Sequence, residues 1–128
     1  MSTINTHQKI DQGLCGTPLE VRDGYSRVEL TTTGGMTVDD SSLVHGGFVF
    51  GLADYAAMIA VNHPNVVLGA ADVKFLKPVV AGETMIAEAR VASASGKKHR
   101  VEVRVTRGDT LVFSGKFACF VLEKHVLG

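Results

Sequence analysis

Strict alternation of apolar and polar residues occurs at two places along the chain, with an apolar block between them. In YSRVELTTT, Tyr25 to Thr33, Val28 and Leu30 fall on one side and Arg27 and Glu29 on the other. That is the period-two signature of a strand with one face in a core. In HRVEVRVTR, Val101, Val103 and Val105 alternate with Arg100, Glu102 and Arg104 in the same way. The block between, GGFVFGLADYAAMIAVN from Gly46 to Asn62, is apolar on every side and is stopped by Asn62-His63-Pro64. Its length and stop chemistry predict a helix buried all round rather than an amphipathic surface helix.

Further strand-like runs occupy Val66–Val79, Thr84–Ala94 and Thr110–Lys124. Short turns at Ala81-Gly82-Glu83, Ser95-Gly96-Lys97-Lys98 and Gly108-Asp109 join them, with His99–Arg107, into an expected antiparallel meander. A helix without a polar face needs cover on more than one side. A curved antiparallel sheet supplies most of it, and a partner subunit completes it. The fold class expected is therefore α+β, with one long buried helix wrapped by antiparallel strands. Residues 1–13 are expected to form a flexible segment and 14–128 a single domain.

Composition narrows the function. Thirteen basic and thirteen acidic residues cancel, which argues against a nucleic-acid partner held by a basic footprint. The polar opening, MSTINTHQKIDQG, lacks the apolar stretch of a secretion signal, and Asp54 interrupts the longest membrane-span candidate. Neither membrane insertion nor export is expected. The two cysteines, Cys15 and Cys119, have no metal-like spacing and read as reduced thiols of a cytoplasmic protein.

Asp54 is the one charged residue between His45 and Asn62. Its helical neighbours at three and four positions are Phe50, Gly51, Ala57 and Met58, none a countercharge. Burial should raise its pKa. Such a carboxylate either does chemistry or serves structure, capping a loop or pairing with an arginine. Gly46 and Gly47 open the helix with accessible amides suited to a carbonyl oxygen, or else merely permit close packing. Eight residues separate Gly46 from Asp54, about 12 Å along a helix axis. Two groups acting on one carbonyl must each approach within about 3 Å of it. One helix cannot supply both, whereas two antiparallel copies about a two-fold axis can. If the pair is catalytic, the site lies between subunits and occurs twice.

HGGFVFGLAD followed by YAAMIAV resembles the signature of hotdog-fold acyl-CoA thioesterases of the phenylacetyl-CoA type. VKFLKPVVAGETMIAEARV is similar to a second block shared more widely among hotdog proteins. The resemblance implies a long helix in a five- or six-stranded curved sheet, edge-to-edge homodimers and often homotetramers. It implies hydrolysis of an acyl-CoA to the free acid and coenzyme A, with no metal and no cofactor beyond the coenzyme A of the substrate. It places the catalytic carboxylate, nucleophile or general base, at Asp54. The amide that polarises the thioester carbonyl falls at Gly46, with Gly47 as a further donor, and the histidine that orients loop or thioester at His45. The chain departs from the pattern at Asp39, where relatives often carry Asn, and at Leu68 and Met58, where some carry Ser or Thr.

The remaining candidates divide between chemistry and structure. Phe48, Phe50, Tyr55 and Met58 are candidates to line an acyl pocket, some of them simply core. Lys97, Lys98 and Arg100 cluster at a turn, where they either meet the phosphates of coenzyme A or are only solvated; Lys74 and Lys77 are equally open. His63, His99 and His125 form no metal set with carboxylates. The alternative to an enzyme is a non-catalytic hotdog domain that binds and senses acyl-CoA, which missing helper residues would suit.

Overall fold

The computed structural model describes residues 1–128. One helical turn, α1 (Gln12–Cys15), precedes strands β1 (Thr17–Arg22) and β2 (Tyr25–Thr31). A short 3-10 turn at Gly34–Met36 leads to the long helix α2 (Gly46–Val61). Four strands follow: β3 (Val66–Phe75), β4 (Thr84–Ser95), β5 (Lys98–Arg107) and β6 (Thr110–Val121).

Helix α2 starts where the sequence places it because His45, in extended backbone, caps it through its ring. It ends at Asn62, whose left-handed backbone (φ 56°) turns its N–H back to the Met58 carbonyl at 2.8 Å. Leu52, Ala53, Ala56, Ala57, Met58 and Ile59 are all buried, as expected of a helix without a polar face. The sheet, in the order β1-β2-β4-β5-β6-β3, curves around it and is antiparallel at every join. Inward residues Met85, Ala87, Val101, Val103, Val105, Phe113 and Phe117 form the facing wall. Each large aliphatic or aromatic side chain buried there contributes about 1.5–3 kcal/mol. Ser26 Oγ, buried in β2, donates to the Ala56 carbonyl at 2.6 Å and pins the helix to the sheet. This is the hotdog arrangement, with six strands.

Two expectations need correction. Strands β3 and β4 are not meander neighbours: β3 pairs only with β6 at the far edge, while β4 lies between β2 and β5. The turn expected at Ala81-Gly82-Glu83 does form, the Glu83 N–H donating to the Val80 carbonyl at 3.0 Å, but it ends a crossing from Leu76 beneath the start of α2 instead of closing a β3–β4 hairpin. Leu76 and Lys77 amides donate to the Val112 carbonyl, the Val44 amide to the Val79 carbonyl, and the Thr32 amide to the Glu83 carbonyl. Strand β1 has no counterpart in the sequence pattern, because Pro18 and a bulge between Pro18 and Glu20 interrupt its alternation.

The opening segment, expected to be flexible, is laid against the domain. Ser2 N–H donates to Val21 O, while Asn62 holds Asn5 N–H and Thr3 O through its side-chain amide at 2.7 and 2.8 Å. Thr6 is buried, and Ile4 and Ile10 pack on the core.

Candidate active site

The entrance to α2 is built from three consecutive residues with different tasks. His45 Nδ1 accepts the Gly47 N–H at 2.7 Å, which holds the ring over the start of the helix. Glycine is required at 47 for this: a Cβ there would stand 2.8 Å from His45 Nδ1. The Gly47 amide is thereby spent. The Gly46 N–H, first in the helix, donates to no atom of the chain. A Cβ on Gly46 would meet the edge of the Phe75 ring at 3.2 Å, so the bare backbone keeps that approach open. Of the two candidate donors, Gly46 is the one left free.

Asp54 lies two helical turns further on. Its Oδ1 is buried and has no hydrogen-bond partner, and no ion pair of the chain includes it. The structural roles open to it in the sequence, capping a loop or pairing with an arginine, are thus not filled within the chain. Burial pushes its pKa up to about 6. Both thiols feel the carboxyl's charge: burial and then Asp54 raise Cys119 to about 12, and burial, Asp11 and then Asp54 raise Cys15. Leu68 is the register partner of Cys119, and Met58 is fully buried, so the two helper positions are apolar.

The other candidates disperse. Asp39 is exposed and turns its carboxylate onto its own loop, accepting from Ser41 N–H at 2.9 Å and Leu43 N–H at 3.3 Å. Phe48 is half-buried with its ring edge-on to His45. Tyr55 and Met58 are core residues, 2% and 1% exposed, the second of the two roles open to them in the sequence. Tyr55 faces the His7 ring instead, 6.3 Å between centroids. Lys97 and Arg100 are exposed at the β4–β5 turn. Lys98 and Arg100 border a depression of about 440 Å³ shared with Ala70, Ala71 and Lys116. His99, next to Lys98, pairs with Cys119 of β6.

Two hollows have no signal in the sequence. One, about 310 Å³, opens beside Gly46 between α2 and the Phe75–Val79 crossing. Nothing in the alternation pattern marks it, because loop and helix make it together. A larger depression of about 630 Å³ lies on the outer face of the sheet among Lys74, Glu88, Arg90, Glu102, Arg104 and Lys116. It holds neither Gly46 nor Asp54, and opposite charges face each other across its strands at Glu88–Arg104 and Arg90–Glu102, as on a solvated face. No three His, Cys, Asp or Glu residues stand close enough to hold a metal. No helix is long and apolar enough to cross a membrane.

The fold agrees with what known proteins show. The family model described as the thioesterase superfamily matches residues 42–114, and the chain belongs to that superfamily. Among solved structures, an uncharacterized protein from Pyrococcus horikoshii, PH1136, superposes with a TM-score of 0.98 at 52% identity, covering 99% of this chain and 98% of that one. A mutant of the phenylacetic acid degradation protein PaaI from Thermus thermophilus superposes with a TM-score of 0.79 at 25% identity, covering 87% of this chain and 96% of that one. Among curated relatives, a protein of Aquifex aeolicus named methylthioribose-1-phosphate isomerase is 54% identical over 89% of this chain. A transcription factor FapR of Caldanaerobacter subterraneus is 30% identical over 68%. The chain spans only 25% of the former and 44% of the latter.

Proposed function

We propose that this chain is an acyl-CoA thioesterase that hydrolyses its substrate to the free acid and coenzyme A at sites shared between two subunits. The observation that carries the reading is the buried Asp54 carboxylate without a partner, on the same helix as the free Gly46 amide. The Gly46 N–H donates to the thioester oxygen as negative charge develops there. Asp54 takes a proton from water as its oxygen attacks the carbonyl carbon, or attacks that carbon itself and is released by water. Either way the C–S bond breaks and the thiolate leaves to take up a proton. A pKa near 6 suits a base working at neutral pH, ionised yet still basic.

The separation of about 12 Å along one helix calls for Gly46 of one subunit and Asp54 of its partner. The open side of α2 suits a second copy: a Cβ on Gly51 would meet nothing within 4 Å. So does the free edge of β3, where Gly69, Ala70, Ala71 and Asp72 are exposed. Homodimers, joined in turn as homotetramers in the cytoplasm, follow from this reading. It needs no metal or organic cofactor. Lys97, Lys98 and Arg100, grouped at the β4–β5 turn, are the proposed contacts of the coenzyme A phosphates.

The test is coenzyme A release over short, medium, long and aromatic acyl-CoAs, with Asp54→Asn alongside. Hydrolysis should fall at least about 100-fold in the variant. Near-full activity there would remove Asp54 from the mechanism. A second reading, a non-catalytic acyl-CoA-binding domain, is favoured by apolar Leu68 and Met58 at the helper positions and by likeness to proteins named transcription factors. Tight binding by a wild-type protein that hydrolyses nothing would establish it.

A further inference from the structure

The hollow beside Gly46 has a chemistry of its own. Its walls are Val44 and Val49 on one side, Phe75, Leu76 and Val79 of the crossing on the other, and Val112 of β6. Phe75 and Leu76 are 56% and 42% exposed, an unusual share for large apolar side chains that flank a free helix amide. Part of the polar backbone of these walls is already engaged. Val44 N–H is paired with Val79 O, and the Leu76 and Lys77 N–H groups both with Val112 O. Lys77, the one charged group at the hollow, is itself exposed.

We propose that this groove holds the acyl group of the thioester, and that the group is an unsubstituted hydrocarbon chain of medium length. The inference rests on the thioesterase reading in one respect only: the carbonyl is placed at the Gly46 amide. From that point the groove is the apolar volume open to the chain on the carbonyl's far side, and the thioester sulfur leaves toward solvent. At about 310 Å³ the groove sits at the small end of the range for ligand pockets. That size suits a chain of medium rather than long length. Apart from exposed Lys77, every side chain lining the groove is apolar, so a hydroxyl or keto group along the chain finds no side-chain partner in the walls. A buried polar group without a partner is disfavoured. Chains bearing such groups are therefore rejected.

The experiment is calorimetric titration with non-hydrolysable thioether analogues of acyl-CoA, from two to twelve carbons, together with free coenzyme A. Each added methylene should tighten binding about four-fold until the groove is full, then cease to matter. Leu76→Asp, at a position open to solvent, should flatten that dependence while leaving coenzyme A and the two-carbon analogue unchanged. Leu76→Met should restore it. Equal affinity across the series in the wild type, or the same slope in Leu76→Asp, would overturn the proposal. Weakened binding of free coenzyme A in Leu76→Asp would overturn it too, assigning the groove to the pantetheine arm. Because the ligands do not react, a protein that shows the slope but hydrolyses nothing fails the thioesterase reading alone.

Discussion

The two unmet hydrogen-bonding groups of α2 differ in how they come to be unmet. Gly46 N–H is free because every helix begins with amides that no preceding turn can accept, and its neighbour Gly47 has been satisfied by His45. Leaving it open costs little, since water reaches it. Asp54 Oδ1 is free because it is buried on a helix whose other residues are apolar, where no donor of the chain meets it. The donor is cheap and the acceptor expensive. Groups of the second kind are kept against stability, and the difference makes the two separable by mutation.

The largest effect should come from Gly46→Val, which sets a branched side chain against Phe75 and over the free amide. Hydrolysis should fall about 100-fold or more, the scale of a lost oxyanion donor, while thermal stability changes little. Mixing such subunits with Asp54→Asn subunits tests the division between chains. Half the dimers become mixed, each with one site free of lesions, so activity should return to about a quarter of wild type. No recovery with heterodimers present would place both groups in one chain's site.

Next in size is the pH dependence. In the proposed mechanism Asp54 acts as the carboxylate, so kcat/KM should be full above its pKa of about 6 and fall with pH below it, tenfold per unit. A profile flat to pH 4.5 would be incompatible with that role. Stability should move the other way. A carboxyl whose folded pKa is raised stabilises the fold where it is protonated and loses that contribution as pH rises through about 6. Asp54→Asn should therefore be more stable than wild type at pH 8, by roughly 1–3 kcal/mol, with most of the gain gone at pH 4. Denaturant titrations at both pH values measure this. The smallest effect should be that of Gly47→Ala. Its Cβ displaces the His45 ring and should cost about 1 kcal/mol of helix capping, with the carboxylate's acid limb unmoved.

Much of this was legible in the sequence, for identifiable reasons. The bounds of α2 follow from the glycine pair and from Asn62-His63-Pro64, and β5 from an alternation that nothing interrupts. The electrostatic fate of Asp54 follows from its helical neighbours alone. Tyr55 and Met58 look like pocket residues in the sequence because a helix that is apolar all round gives no sign of which side faces a wall and which a cleft. The crossing after β3 looks like a hairpin because Ala81-Gly82-Glu83 is good turn chemistry. Its backbone pairs with Val112, Val44 and Thr32, partners no local pattern reveals. The Gly46 groove is hidden for the same reason.

The placement of β4 between β2 and β5 has a further consequence, in time rather than in energy. The joins β4–β5 and β5–β6 close over turns of a few residues and can form early. The β2–β4 seam cannot: Thr31 meets Thr84 across 53 residues, and α2 and β3 lie within that loop. Closing it demands loop entropy before any contact repays it, so the seam should set the folding rate. The segment that carries both unmet groups is then enclosed only when the seam shuts.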